Sequence, residues 1–150
     1  MNRIYDLPVE TPEGVVELEV AHEVVHKDGD GMCVTLLTAI RGKARSYRAG
    51  TTEDALILLA RDLPKGWRVK SCISCRFGHF CPVGNADNEL FCVTDFAPKS
   101  HRDLWHVTED EDERKNRSRT LFASCGQYQE QTKDYFTYSD FYSKMNEVKP

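Results

Sequence analysis

The reactive side chains of this sequence concentrate between residues 72 and 92. Cys72, Cys75, Cys81 and Cys92 follow the spacing C-x2-C-x5-C-x10-C. A C-x2-C pair lets two thiolates reach one tetrahedral ion from a single turn of the chain, and zinc suits four thiolates. An iron–sulfur cluster also takes four cysteines, and the spacing does not separate the two. We therefore predict a metal site at these four cysteines, with zinc as the first candidate and an iron–sulfur cluster as the alternative.

Other residues leave the ligand set open. His79 lies inside the stretch and could replace one thiolate. Cys125, which is followed by Gly126, is a fifth cysteine candidate, whereas Cys33 is isolated and is expected to pack in the interior. The plainer alternative is a set of buried thiols without a metal, because free cysteine is among the most buried residue types. Four thiolates would close the coordination sphere, so the site is expected to be structural rather than catalytic.

A second pattern, His22-Glu23-Val24-Val25-His26, matches the H-E-x-x-H signature of zinc hydrolases. On a helix the two histidines would lie one turn apart and share an ion. The alternation of valines with glutamates instead predicts a strand, in which His22 and His26 would lie about 13 Å apart. Met32 also stands where the extended motif places its third ligand. The zinc-dependent hydrolase is an alternative hypothesis that fails if this segment is a strand.

A third hypothesis is a thiol redox protein in which Cys72 and Cys75 exchange a disulfide. Such chemistry requires at least one thiol with a depressed pKa. A redox C-x-x-C pair normally opens a helix, but Gly78 and Pro82 follow here too closely for that. Among the three hypotheses, a binding or interaction module with a structural metal fits the residues best, and we expect no enzyme activity.

Length and charge restrict the classes of partner. The chain has 150 residues with a formal net charge of −4. Nucleic-acid affinity depends on clustered Lys and Arg that neutralise phosphates, so this balance predicts no nucleic-acid partner. No segment approaches the run of about 18 apolar residues that a membrane span requires, and no signal peptide is visible. We expect a cytoplasmic protein with no membrane association, and a protein partner of unspecified identity fits these constraints.

The element pattern predicts an α+β fold in which one helix covers an antiparallel sheet. Apolar residues alternate from Val15 to Val25, and a Gly/Asp turn at residues 27 to 31 leads into a second strand from Cys33 to Ile40. A shorter strand is expected around residues 44 to 48. Leu56, Leu59, Ala60 and Leu63 then share one helix face behind a threonine cap. A short strand is expected from residue 67 to 70.

The second half is less regular. We predict a single domain over residues 1–150, with a sheet-plus-helix core at 1–70, a cysteine-rich loop insertion at 71–95 and a helical or irregular C-terminal part at 96–150. A strand is expected from Glu89 to Cys92. The pattern Thr108-x-x-Glu111 predicts a capped, charged helix. The aromatic segment from Tyr128 to Met145 is expected to pack back on the domain, because hydrated aromatic rings are unfavourable.

One resemblance accompanies this pattern. The run Cys75-Arg-Phe-Gly-His-Phe-Cys-Pro-Val-Gly-Asn, followed by Phe91-Cys92, resembles a segment in short bacterial proteins classed as domains of unknown function. It covers residues 70 to 96. The resemblance implies a compact bacterial protein of unassigned role, and it assigns no catalytic residue.

Overall fold

A computed structural model describes residues 2–29, 31–84 and 86–146, and its fold is α+β, as the sequence predicted. Asp30, from the predicted turn, and Asn85, from the cysteine-rich segment, lie outside the described residues. The chain divides into two compact units, residues 1–69 and 70–150. The single domain predicted from the sequence stays a prediction.

The first unit is a five-stranded antiparallel sheet with one helix. The elements are β1 (Asn2–Thr11), β2 (Gly14–His26), β3 (Met32–Ile40), β4 (Lys43–Ala49), α1 (Thr52–Asp62) and β5 (Arg68–Val69). The sheet order is β4-β3-β2-β1-β5. Arg41 and Gly42 both have positive φ, at 51° and 78°, which is the backbone of a tight two-residue hairpin turn between β3 and β4.

One face of this sheet is buried beneath α1, which packs on β3 and β4. The alternation of the strands places their apolar side chains on that face. Its fully buried members include Leu7, Val20, Val34 and Leu36, and they meet Leu56 and Leu59 from the helix, all at 0% exposure. The predicted pattern of alternating strands and a helix stripe is confirmed in this unit.

Polar contacts stabilise both ends of α1, within the helix at its start and to strand β4 near its end. The Thr51 side chain accepts a hydrogen bond from the Asp54 N–H, which caps the helix as predicted. Near the other end, the Tyr47 hydroxyl donates to Asp62 Oδ2 at 2.6 Å. Burial, followed by the effect of the Asp62 carboxylate, raises the pKa of Tyr47.

The second unit is built from short elements. They are a 3-10 helix (Cys72–Ser74), β6 (Gly78–His79), β7 (Leu90–Cys92), α2 (His101–Thr108), α3 (Glu111–Arg117), β8 (Ser118–Arg119) and α4 (Phe141–Met145). The strands form a three-stranded sheet in the order β6-β7-β8. Leu90, Phe91, Leu104, Leu121 and Phe122 are buried to 2% exposure or less. In the described part of the chain, no helix is both long and apolar enough to cross a membrane.

Three features of these units differ from the sequence prediction. Strand β1 was not predicted: Leu7 and Val9 are buried and alternate with Asp6, Pro8 and Glu10 on the opposite face, but a proline inside so short a run weakens the strand signal. Helix α2 was also missed, and it ends at Thr108, so the predicted Thr108 cap of the next helix was wrong. Asp110 caps α3 instead, accepting a hydrogen bond from the Glu113 N–H at 3.0 Å. Within segment 71–95, β7 (Leu90–Cys92) matches the strand predicted from Glu89 to Cys92, whereas β6 and the 3-10 helix were not predicted.

Candidate metal centre

The Cys72–Cys75 turn is a closed, hydrogen-bonded knuckle. The Cys75 N–H donates to the Cys72 carbonyl at 3.3 Å, and the Gly78 N–H donates to the Cys75 carbonyl at 3.1 Å. A Cβ at position 78 would overlap the Cys72 carbonyl oxygen and would stand 3.3 Å from Leu90 Cδ1. Glycine at this position is therefore what lets the chain close behind the two cysteines.

Cys92 approaches this knuckle through the small sheet. Strands β6 and β7 are antiparallel, and Gly78 is paired with Cys92. The Val93 N–H donates to the Phe77 carbonyl at 2.9 Å and continues that pairing. Arg117 holds the other side of the strand, with Nη1 donating to the Cys92 carbonyl at 3.1 Å. The predicted return of Cys92 over the cysteine-rich segment is thus present in the backbone.

Cys125 belongs to a loop that is bonded at both ends to the same knuckle. Before it, the Cys72 N–H donates to the Ala123 carbonyl at 2.7 Å. After it, the Arg76 N–H donates to the Gln129 carbonyl at 2.8 Å, and Cys75 forms a β-bridge with Glu130. These bonds bring a cysteine about 50 residues distant in sequence alongside the C-x2-C turn.

Buried Gln131 fastens this loop from inside. Its Nε2 donates to the carbonyls of Ile73 at 3.0 Å and Cys75 at 3.2 Å. A side-chain amide that satisfies two carbonyls of one turn fixes the path of that turn, because an unpaired buried carbonyl is unfavourable. Gln131 was not predicted as a site residue, because no local sequence pattern indicates that its side chain is buried against the turn. For Cys125 the signal was the adjacent Gly126, and it was weak.

The thiols of this group interact electrostatically. Burial raises the pKa of Cys72 to about 12, and the charges of Cys75, Cys92 and Cys125 add to the effect in that order, against a smaller opposing effect of Arg119. Burial also raises the pKa of Cys75, hydrogen bonds from the Gln129 and Phe77 backbone oppose the rise, and smaller effects of Cys92 and Cys125 add to it. Cys72 and Cys75 therefore each interact with Cys92 and with Cys125. Neither thiol has the depressed pKa that the redox hypothesis requires.

The side chains are near one another but do not form a coordination shell. Among the described residues, no group of three or more His, Cys, Asp or Glu side chains is arranged to hold a metal ion. Cys75 is buried, Cys72 and Cys92 are half-buried and Cys125 is exposed. Closing on one ion would require these side chains to rotate. Metal binding here is therefore a proposal.

Cys81, a predicted ligand, has a different environment. It is 4% exposed, and its Sγ donates to Thr108 Oγ1 of α2 at 3.7 Å. The Thr108 hydroxyl in turn donates to the Leu104 carbonyl at 2.9 Å. The structure thus places Cys81 in packing contact with α2, and its predicted role as a ligand stays a prediction.

His79 is a core histidine. It is fully buried, its ring stacks on Phe136 with centroids 6.0 Å apart, and Nδ1 accepts a hydrogen bond from the Tyr138 N–H at 3.0 Å. With Nδ1 accepting, the hydrogen of the neutral ring resides on Nε2, which leaves no lone pair free for a metal. Burial lowers the pKa of His79 to about 4, and the Arg76 backbone acts in the opposite direction.

The H-E-x-x-H segment is strand β2, so the helical zinc site that it suggested is absent from it. His22 is buried in the first unit, where Nε2 lies 2.8 Å from Thr52 Oγ1 and the ring packs edge-on against Tyr5. His26 is exposed at the end of the strand. Four residues of extended chain separate the two rings by about 13 Å, too far to share an ion.

No family model, no curated protein and no solved structure matches this chain. The resemblance of residues 70–96 to short bacterial proteins therefore stays a prediction.

Proposed function

We propose that this protein is a binding or interaction module whose second unit is held together by a structural zinc ion bound to Cys72, Cys75, Cys92 and Cys125. The observation that carries the proposal is the double attachment of the Cys125 loop to the Cys72–Cys75 knuckle, by backbone bonds at Ala123 and Gln129. The set keeps three of the four cysteines predicted from the sequence and exchanges Cys81 for Cys125.

The chemistry of the four side chains supports this set. The raised pKa values of Cys72 and Cys75 make these thiols costly to deprotonate alone, and a divalent cation removes that cost. Zinc binds thiolate sulfur at about 2.3 Å in a tetrahedron. Side-chain rotation would have to bring the four sulfur atoms onto one ion, around segments whose backbone is already hydrogen-bonded in place.

The architecture of the second unit gives such an ion a structural purpose. Its strands are two or three residues long, and its helices span eight residues or fewer. Elements this short lose more conformational entropy on ordering than their own hydrogen bonds return. An ion that links residues 72, 75, 92 and 125 would cross-link three separate segments of the unit.

A binding role fits this site better than catalysis. Four thiolates leave no open position for a water molecule, which a catalytic zinc requires. The hydrolase alternative lacks its helix at residues 22–26, and the redox alternative lacks an activated thiol at Cys72 or Cys75. We therefore propose that the second unit acts by binding a partner rather than by catalysing a reaction.

Metal analysis of the full chain, purified without added metal, tests the proposal. We expect about one equivalent of zinc per chain and no visible absorbance, as a four-thiolate zinc site requires. Less than about a tenth of an equivalent of any metal would overturn the zinc site. Iron with visible absorbance would replace zinc with an iron–sulfur cluster at the same cysteines. The Cys33→Ala variant is the matched control, because Cys33 lies in the first unit, and its metal content should equal that of the unmodified chain.

A further inference from the structure

The face of the five-stranded sheet opposite α1 exposes large apolar side chains. Ile4 is 66% exposed, Val25 61% and Leu37 38%, although each lies within a paired strand. Side chains of a strand alternate between faces, so these three point away from buried residues such as Leu7 and Leu36. We call this surface the open face; it consists of the even-numbered residues of β1 and β4 and the odd-numbered residues of β2 and β3.

An apolar strip crosses the open face from β1 to β3. Ile4 is paired with Ala21, and Ala21 is paired in turn with Leu37. Neighbouring strands lie about 4.8 Å apart, so the strip is about 10 Å long from Ile4 to Leu37. Apolar side chains scattered singly are normal on a protein surface, whereas contiguous ones mark contact sites. The strip therefore has the character of a contact surface, but it is too small to hold a partner by apolar contact alone.

Carboxylates adjoin this strip. Asp6 is paired with Glu19, Glu17 follows on the same face of β2, and all three residues are exposed. Asp6 lies two residues after Ile4, about 7 Å along the strand. None of the three carboxylates forms an ion pair with a residue that the structure describes. Like charges directly opposite each other on adjacent strands are unfavourable, so this cluster does not serve the stability of the sheet.

Basic residues do not neutralise the centre of the open face. Arg68, on the edge strand β5, donates through Nη2 to Glu10 at 3.1 Å. Among the described residues of β1–β4, Arg48 is the only basic one on the open face, and it lies across the sheet on β4, opposite Thr35. The part of the face around Asp6 therefore keeps a negative charge.

This charge selects among the possible occupants of the face. A carboxylate cluster repels the phosphates of nucleic acids and of anionic membranes. A second copy docked through the same face would bring its own carboxylates against these. Lysine and arginine side chains of another protein are attracted, and their long aliphatic stems also cover apolar surface. The complementary occupant is therefore a basic protein segment that carries an apolar side chain.

We propose that the open face docks a basic segment of a partner protein. Lysine or arginine groups of the segment contact Asp6, Glu17 and Glu19. An apolar side chain of the segment packs on Ile4 and Leu37. In an extended segment that runs along the strands, side chains two residues apart are about 7 Å apart, which matches the separation of the apolar strip from the carboxylates. The surface belongs to the first unit, so the inference goes beyond the proposed role of the second unit and does not rest on zinc.

Three acetylated and amidated pentapeptides test this pattern. The first is Leu-Ser-Lys-Ser-Lys, the second has glutamate in place of both lysines, and the third has serine in place of the leucine. Each would be titrated at low ionic strength into the methyl-labelled full chain, and the methyl resonances of Ile4 and Leu37 would be followed by NMR. We expect the first peptide to shift them saturably at millimolar concentration and the glutamate peptide to leave them unchanged. The serine peptide should bind about threefold or more weakly than the first.

A double substitution locates the charged contact. Asp6→Asn combined with Glu19→Gln should weaken binding of the first peptide about tenfold or more, because its lysines lose their charged partners. The change removes a like-charge pair and should not destabilise the sheet, so lost binding reports lost contact. Asp112→Asn combined with Asp134→Asn removes the same charge from exposed positions of the second unit. This matched control should leave the affinity unchanged.

A single substitution locates the apolar contact. Ile4→Ser should weaken binding of the first peptide about threefold or more, because the leucine loses its apolar surface. Val83→Ser, at a position of the second unit that is 65% exposed, is the matched control and should leave the affinity unchanged.

Several results would overturn the inference. They are no shift with the lysine peptide, equal shifts with the glutamate peptide, and undiminished affinity of the Asp6→Asn/Glu19→Gln variant. A dimer in sedimentation that dissociates on Ile4→Ser would also overturn it, because the occupant would then be a second copy. Zinc would be quantified in each sample, so these results in a zinc-loaded chain leave the proposed zinc site standing. Binding of the lysine peptide to a chain without zinc would uphold the open-face inference and overturn the structural zinc.

Discussion

The two units of this chain reach order by different physical means. In residues 1–69, four of the five strands are seven to thirteen residues long and pair along most of their length, and one amphipathic helix buries their apolar face. In residues 70–150 the strands are two or three residues long, and the backbone is tied by turns, by Gln131 and by the segments around four cysteines. The first unit is ordered by hydrophobic burial on long paired strands, whereas for the second unit, which also has a buried core, we propose additional cross-linking by a metal ion.

This contrast shows which elements can be predicted from a sequence pattern and which cannot. Period-2 alternation predicts a long paired strand because burial acts on every second residue. Short elements have no period to detect, so their arrangement depends on contacts between residues far apart in sequence. If the two units are stabilised differently, the changes below should affect them differently; they are given from the largest expected effect to the smallest.

Removal of the metal should unfold the second unit and spare the first. Structural zinc binds zinc-finger peptides with about 10 kcal/mol or more, which is comparable to the total stability of about 5–15 kcal/mol of a typical domain. Hydrogen exchange by mass spectrometry, before and after a strong chelator, should show protection lost in peptides from residues 70–146 and kept in β1–β4.

Restoring zinc after chelation is the control for that experiment and should restore the protection. Equal loss of protection in both units, or no loss in either, would contradict the division between burial and cross-linking.

Leu56→Ala should destabilise the first unit by about 3 kcal/mol, because Leu56 is fully buried and truncation leaves a cavity under the sheet. Leu58→Ala, at a position on the same helix that is 40% exposed, is the matched control and should cost well under about 1 kcal/mol. Chemical denaturation followed by an exchange readout over β2 and β3 measures both. A similar cost for the two variants would argue against the buried helix face.

Gly78→Ala should destabilise the second unit by about 2 kcal/mol or more, because the new Cβ would overlap the Cys72 carbonyl oxygen and displace the knuckle. Gly126→Ala is the matched control, since a Cβ there meets no atom within 4 Å. Thermal unfolding of the metal-loaded variants compares them. Equal stability of Gly78→Ala and the unmodified chain would show that the knuckle is not closed as described.

Acid should weaken the second unit through His79. Its pKa is lowered to about 4 in the folded unit, so below about pH 6.5 the unfolded chain binds a proton that the folded unit does not. The stability associated with the neutral ring is complete above about pH 6.5 and is lost as the pH falls toward 4, amounting to about 2 kcal/mol between pH 7 and pH 5.

An NMR titration of the histidine ring resonances measures this directly in the folded protein. The His79 ring should stay in its neutral form at about pH 5.5. A titration midpoint near the ordinary value of about 6.5 would contradict the buried, neutral histidine.

The sequence predicted the first unit well except for β1. Alternation from Val15 to Val25 and the stripe of Leu56, Leu59 and Ala60 correspond to observed elements within two residues at their ends. Strand β1 carries only a short alternation at Leu7 and Val9, and Pro8 between them weakens the strand signal; the strand is placed by its pairing with β2 along its whole length.

The candidate site was predictable only in part. The C-x2-C spacing marks Cys72 and Cys75 as candidate ligands. Cys92 is marked by its position in a short apolar strand, which in the structure pairs beside the turn. Cys125 stands more than thirty residues further on, so its proximity depends on backbone bonds at Ala123 and Gln129 that no local pattern encodes. Cys81 shares the dense stretch in sequence but packs against Thr108 in the fold.

The most direct test of the central claim compares zinc content in Cys125→Ala and Cys81→Ala, each purified as the full chain without added metal. The proposed ligand set predicts that Cys81→Ala keeps about one equivalent of zinc, whereas Cys125→Ala retains less than about a tenth after dialysis against a mild chelator. The opposite pattern, with zinc lost from Cys81→Ala and kept in Cys125→Ala, would contradict the account and return the site to the four cysteines between residues 72 and 92.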